Sequence, residues 1–124
     1  MQTKEFSMST TDGLKLYVKE WQPDGSPKAT IALVHGLGEH VNRYEYVAKT
    51  FTEHGYLLRG FDLRGHGQSE GKRGHAPSYA RLAEDINQLL QEVHDAYPEL
   101  PIFLYGHSLG GALVLYYGET HQFP

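Results

Sequence analysis

The first regular pattern along the chain is an alternation in which apolar Leu14, Leu16 and Val18 are interleaved with Lys15, Tyr17 and Lys19. A period of two marks a strand with one buried face, and the turn Thr11-Asp12-Gly13 joins it to an earlier extended segment around residues 4–8. The two are expected to pair antiparallel. After a proline-bounded turn at residues 23–27, Ile31-Ala32-Leu33-Val34 is apolar without interruption and stops at His35-Gly36. A continuous run of this kind predicts a strand covered on both faces in a parallel sheet. Asn42 followed by Glu45 has the form of a capping box, and Tyr44, Val47, Ala48 and Phe51 share one helical face that ends at Gly55.

Residues 56–61 predict the next strand, followed by the glycine-rich loop Asp62-Leu63-Arg64-Gly65-His66-Gly67-Gln68-Ser69-Glu70-Gly71. Leu82, Ile86, Leu89, Leu90, Val93 and Tyr97 then recur at three- and four-residue steps until Pro98, which predicts a long amphipathic helix. Ile102-Phe103-Leu104-Tyr105 is a fifth strand, and the apolar segment at residues 112–117 is a helix. The expected class is therefore α/β: two leading antiparallel strands, then βαβαβα with a mostly parallel sheet. Ligand sites in such sheets lie beyond the carboxyl ends of the strands, where the glycine turns of this chain fall.

Composition narrows the chemistry. Eleven basic and fifteen acidic side chains give a net charge of −4 with no block of one sign, which argues against a nucleic-acid partner. The first ten residues are polar and no apolar run approaches membrane-spanning length, so a cytoplasmic protein is expected. With no cysteine, and with eight histidines that show no zincin-type spacing, no metal is expected. A phosphate-binding loop around Gly71-Lys72 would need glycine in place of His66 and Ser or Thr in place of Arg73, and no cofactor is expected. No repeat, low-complexity tract or linker divides residues 1–124, which read as one domain.

The strongest chemical signal is Gly106-His107-Ser108-Leu109-Gly110-Gly111, between the fifth strand and the last helix. A serine hydroxyl is a poor nucleophile and must be held exposed on a sharp strand-to-helix turn within reach of a base. Gly106 and Gly110 permit such a turn, which makes Ser108 the candidate nucleophile. Chance gives roughly 0.07 matches to this pattern in a chain so rich in glycine, before strand and helix flanks are required. Acyl transfer also needs two amides converging on the developing oxyanion. By position these are the backbone N–H groups of Leu109, just after the serine, and of Leu37, in the turn His35-Gly36-Leu37-Gly38-Glu39-His40. His35, Gly36 and His107 are expected to support the loop and the elbow.

These three segments, taken in order, resemble the monoacylglycerol lipase and lysophospholipase branch of the α/β-hydrolases. The resemblance implies a serine carboxyl-ester hydrolase acting on monoacylglycerol or a similar single-chain lipid ester, with Ser108 as nucleophile and Leu37 and Leu109 as oxyanion amides. It implies that the loop around Arg64 and His66 either shapes the site from below or simply positions backbone. It also implies that the catalytic Asp and His, together with the lid, follow later strands than this chain holds. Residues 1–124 are then one incomplete domain, active only with the C-terminal part.

His107 should point away from Ser108, and His54 and His94 lie on or near helices, whereas His35, His40, His66 and His75 fall on the correct sheet edge. Ile102-Phe103-Leu104-Tyr105 has the composition of an interior strand and should be covered, by the C-terminal remainder or by a second copy. Transient contact with a membrane surface would accompany a lipid substrate. The alternative is a non-catalytic binding or assembly module that keeps a hydrolase-like half-fold.

Overall fold

A computed structural model describes residues 1–123. Five strands and three helices follow in the order β1 (Gln2–Ser9), β2 (Lys15–Gln22), β3 (Ala29–Val34), α1 (Glu45–Glu53), β4 (Tyr56–Phe61), α2 (Tyr79–Ala96), β5 (Ile102–Gly106) and α3 (Leu109–Thr120). The strands form one sheet in the order β1-β2-β4-β3-β5. β1 and β2 pair antiparallel, β2 joins β4 antiparallel, and β3 runs parallel to both β4 and β5.

The double-faced apolar run explains the layering. Every residue of β3 is buried. Ile31 and Leu33 face one core with Trp21, Val41, Tyr44, Ala48 and Leu58 under α1. Ala32 and Val34 face the larger core with Leu16, Val18, Phe61, Ile86, Leu90, Leu113 and Tyr117 under α2 and α3. Successive side chains of a strand point to opposite sides, so one short segment seeds two hydrophobic layers.

The start of the first helix departs from expectation. Residues Val41–Tyr44 form a 3-10 turn, α1 begins only at Glu45, and its N-cap residue Tyr44 makes no side-chain cap. Asn42 instead accepts from Lys19 Nζ at 2.7 Å, and Glu45 accepts from Trp21 Nε1 at 2.8 Å. Both side chains of the supposed capping box are drawn to β2, because burying the indole of Trp21 requires an acceptor for its N–H. The long helix is capped in the ordinary way, with Ser78 Oγ accepting the Arg81 N–H at 3.0 Å.

Among the described residues β5 pairs with β3 alone and lies at the sheet edge, where Phe103 is 58% exposed. α3 buries Gly110, Leu113 and Tyr117 against α2 and β5 but leaves Leu115 71% exposed.

Two buried charged groups hold the loop after β4. Asp62 accepts the backbone N–H of Val41 at 2.6 Å and of Gln68 at 2.9 Å, which joins the loop to the start of the first helical segment. Arg64 bridges Asp12 of the β1–β2 turn at 2.7 Å and Asp85 of α2 at 2.8 Å. Removing one partner from such a buried network leaves a charge without compensation, a loss of about 3–5 kcal/mol.

Candidate active site

Ser108 is the only non-glycine residue with positive φ among the described residues, at φ 58° and ψ −118°. It stands between β5 and α3 and is exposed to solvent. Its flanking glycines are needed for close approach rather than for their own torsions. A Cβ on Gly106 would overlap the Gly110 carbonyl, and one on Gly110 would overlap the Val34 carbonyl of β3. The helix therefore starts pressed against the strands, and only hydrogen atoms fit at those two positions.

The turn after β3 meets the elbow directly. A Cβ on Gly36 would lie 2.8 Å from Glu39 Oε1, 3.1 Å from the His107 carbonyl oxygen and 3.2 Å from Ser108 Cβ. The Gly36 N–H is already used, donating to Glu39 Oε1 at 2.8 Å. Among the described residues, the Leu37 and Leu109 N–H groups have no protein acceptor. The second of these opens a twelve-residue helix, whose N-terminal end favours negative charge. Leu37 and Leu109 also line a cavity of about 230 Å³, with Leu63, Ala76, Tyr79 and Leu82 supplying apolar wall.

His35 is buried beneath this turn. Its Nε2 accepts the Leu63 N–H at 2.9 Å, so the proton sits on Nδ1, which faces the Gly36 carbonyl at 2.7 Å. Burial pushes its pKa below the ordinary histidine value and keeps the ring neutral. With both nitrogens committed, His35 ties β3 to the loop after β4 and has no free site to take a proton. His66 turns Nδ1 to the Arg64 carbonyl at 3.1 Å, and His107 turns Nδ1 toward Glu39 Oε1 at 3.5 Å. No hydrogen bond joins the Ser108 hydroxyl to a histidine among the described residues. His75 and His66 line the cavity beside Leu37 and Leu109, and His66 also lines a second cavity of about 450 Å³ with His40, Glu39 and Arg73.

The model of the serine aminopeptidase (S33) family matches residues 25–123. The chain belongs to this family. The chain is 38% identical to a monoacylglycerol lipase of Mycolicibacterium smegmatis over 94% of its own length and 42% of that protein. It is 41% identical to the human monoglyceride lipase over 84% of its length and 34% of that enzyme. A thermostable carboxyl esterase of Bacillus coagulans superposes with a TM-score of 0.87 at 30% identity, covering 97% of this chain and 41% of the esterase. The α/β-hydrolase fold follows, and this S33 chain spans well under half the length of these relatives.

Against that fold, the residues singled out by sequence fall into two groups. Gly36 meets Ser108 and the His107 carbonyl, Gly106 meets Gly110, and Leu37 and Leu109 line one cavity, whereas the Arg64 guanidinium is held in ion pairs with Asp12 and Asp85. Sequence reasoning missed the roles of Glu39, Asp62 and Asp85. The spacing of Arg81 and Asp85, four apart on α2, was the one local signal for the last of these. No group of three or more His, Asp or Glu residues is arranged to hold a metal among the described residues.

Proposed function

We propose that this chain supplies the nucleophile and oxyanion half of a serine ester hydrolase acting on monoacylglycerols or similar single-chain lipid esters. The observation that carries this is Ser108, held at a strained positive φ beside two backbone amides without protein acceptors. Ser108 Oγ attacks the ester carbonyl, and the electron pair of the C=O moves to oxygen between the Leu37 and Leu109 N–H groups. Collapse of the tetrahedral intermediate expels the alcohol with a proton and leaves an acyl-Ser108, which water then hydrolyses. The apolar cavity beside Leu37 and Leu109 suits an acyl chain. The names of the lipase relatives support the substrate class.

Proton transfer needs a base, and no histidine is hydrogen-bonded to the Ser108 hydroxyl among the described residues: both ring nitrogens of His35 are committed, and His66 turns Nδ1 to the Arg64 carbonyl while its Nε2 is buried without a partner. We assign the base and its acid to polypeptide C-terminal to these residues, so the chain alone turns over slowly. Transient contact with a membrane surface is part of the proposal and is consistent with Leu37, which lines the cavity and is 66% exposed; the cytoplasmic placement rests on the sequence pattern alone.

The second reading, a non-catalytic module, draws on the same unpaired serine. A chromogenic short-chain ester separates the two, tested on the chain alone and with the C-terminal portion of a lipase relative added. Slow hydrolysis that rises on complementation and disappears in Ser108→Ala supports the enzyme. No hydrolysis in either mixture supports the module, and preferential cleavage of an aminoacyl anilide would instead favour a peptidase.

A further inference from the structure

The Glu39 carboxylate takes no part in the chemistry above, yet one of its oxygens gathers groups from both loops that carry the oxyanion amides. Oε1 accepts the Gly36 N–H at 2.8 Å and the Tyr44 hydroxyl at 2.7 Å, and lies 3.5 Å from His107 Nδ1. Gly36 immediately precedes Leu37, and His107 immediately precedes Ser108. Oε2 lies 3.7 Å from the Arg43 guanidinium, which is largely in solvent. The Glu39 side chain itself is only 18% exposed, so water competes poorly for Oε1.

We propose that Glu39 is a positioning residue that clamps the Leu37 loop to the Ser108 elbow, so that the two oxyanion amides are held in register by one carboxylate. The inference rests on the assignment of Ser108, Leu37 and Leu109 given above. Two adjacent amides, at residues 36 and 37, could compete for the developing oxyanion. Because Glu39 occupies the first, the second is left free to face substrate. The parts meet tightly: carboxylate oxygen, elbow carbonyl and Ser108 Cβ all fall within 3.2 Å of the point where a side chain on residue 36 would begin. Tyr44 completes the clamp, its ring edge-on to His107 at 6.4 Å while its hydroxyl bonds Glu39. The Tyr44 hydroxyl, followed by the Gly36 N–H and His107, holds the Glu39 carboxyl below the ordinary range, so the clamp is charged at neutral pH.

The test compares Glu39→Ala and Glu39→Gln with the parent chain. Three readouts are used: the rate of Ser108 modification by a fluorophosphonate, followed by intact mass; the amide resonances of Gly36 and Leu37; and thermal melting. Folded E39A is expected to react about 10²-fold more slowly, the scale for an ångström-sized misplacement of a reacting geometry. With an activated ester the loss falls on kcat and leaves KM unchanged. E39Q keeps an oxygen for Gly36 and Tyr44 and is expected to stay within tenfold of the parent. The Gly36 amide proton should move upfield in E39A.

Parent-like reactivity in folded E39A, or an unmoved Gly36 resonance, overturns the proposal. If E39A does not fold, Tyr44→Phe serves in its place, with labelling slowed about fivefold, the factor for one ordinary hydrogen bond. A parent-like rate and Gly36 resonance in that variant also overturn it. A parent chain that never labels at Ser108 contradicts the nucleophile assignment instead, and the Gly36 and Leu37 resonances then decide the clamp by themselves.

Discussion

Replacing Ser108 by glycine should make the protein more stable. At φ 58° and ψ −118° the residue occupies a region that L side chains rarely adopt, and holding a non-glycine residue there stores about 1–3 kcal/mol. Glycine removes that strain but gains about 0.4–1 kcal/mol of freedom in the unfolded chain, which leaves a net stabilisation of about 1.3 kcal/mol at mid-range and at most about 2.6 kcal/mol. Ser108→Ala is the control, because it keeps the Cβ and therefore the strain. The side chain is exposed and its hydroxyl has no protein partner among the described residues, so S108A should lie within about 0.5 kcal/mol of the parent. Urea unfolding of the three proteins reads the difference through the midpoint at constant slope. In thermal melts S108G should exceed S108A by about 3–8 °C, scaled from domains of similar size. Both variants lose the nucleophile, so any stability gap between them reports the backbone alone. An S108G protein no more stable than S108A would show that the elbow is relaxed, and would remove the physical reason for reading it as a functional turn.

Two further outcomes follow from the same geometry. Gly110→Ala drives a Cβ into the Val34 and His35 carbonyls, and should lower stability by about 3 kcal/mol in urea, at the upper end for overpacking because backbone must move. Stability should also depend on acid: His35 is neutral in the fold and its pKa is depressed, so below about pH 6.5 the unfolded chain binds the extra proton. The His35 contribution is complete above about pH 6.5 and is lost as the pH falls toward the depressed folded value. Glu39, also held low, adds a second decline below its ordinary value of 4.5. Stability curves against pH check both, and His35→Phe should abolish the upper limb while losing about 1–3 kcal/mol, because it leaves the Leu63 N–H unpaired, whereas the Gly36 carbonyl keeps the Glu39 N–H.

The parts of the fold that depend on local pattern were legible in the sequence. β3 announced its two buried faces through four consecutive apolar residues, and α2 through a three-and-four rhythm stopped by Pro98. The elbow was legible because a tight strand-to-helix junction tolerates only glycine at residues 106 and 110, and that demand is written in residue type. What escaped depends on partners distant in sequence. Asn42 and Glu45 have the spacing of a capping box, but Lys19 and Trp21 claim their side chains. Glu39 stood in the motif without a role because His107, one of the groups it faces, comes from the opposite end of the chain. The loop around Arg64 was expected to shape the site from below or to position backbone, and the burial of Arg64 between Asp12 and Asp85 could not be inferred from spacing. The interior character of residues 102–105 remains at odds with their place at the sheet edge, where Phe103 meets solvent.

The most direct test of the central claim is to trap the acyl group. The chain and its S108A variant are incubated with an activated medium-chain ester, digested, and mapped by mass spectrometry. The account predicts an acyl adduct confined to Ser108 in the parent and absent from S108A. Acylation at another residue, or ester cleavage that continues unchanged in S108A, would contradict it.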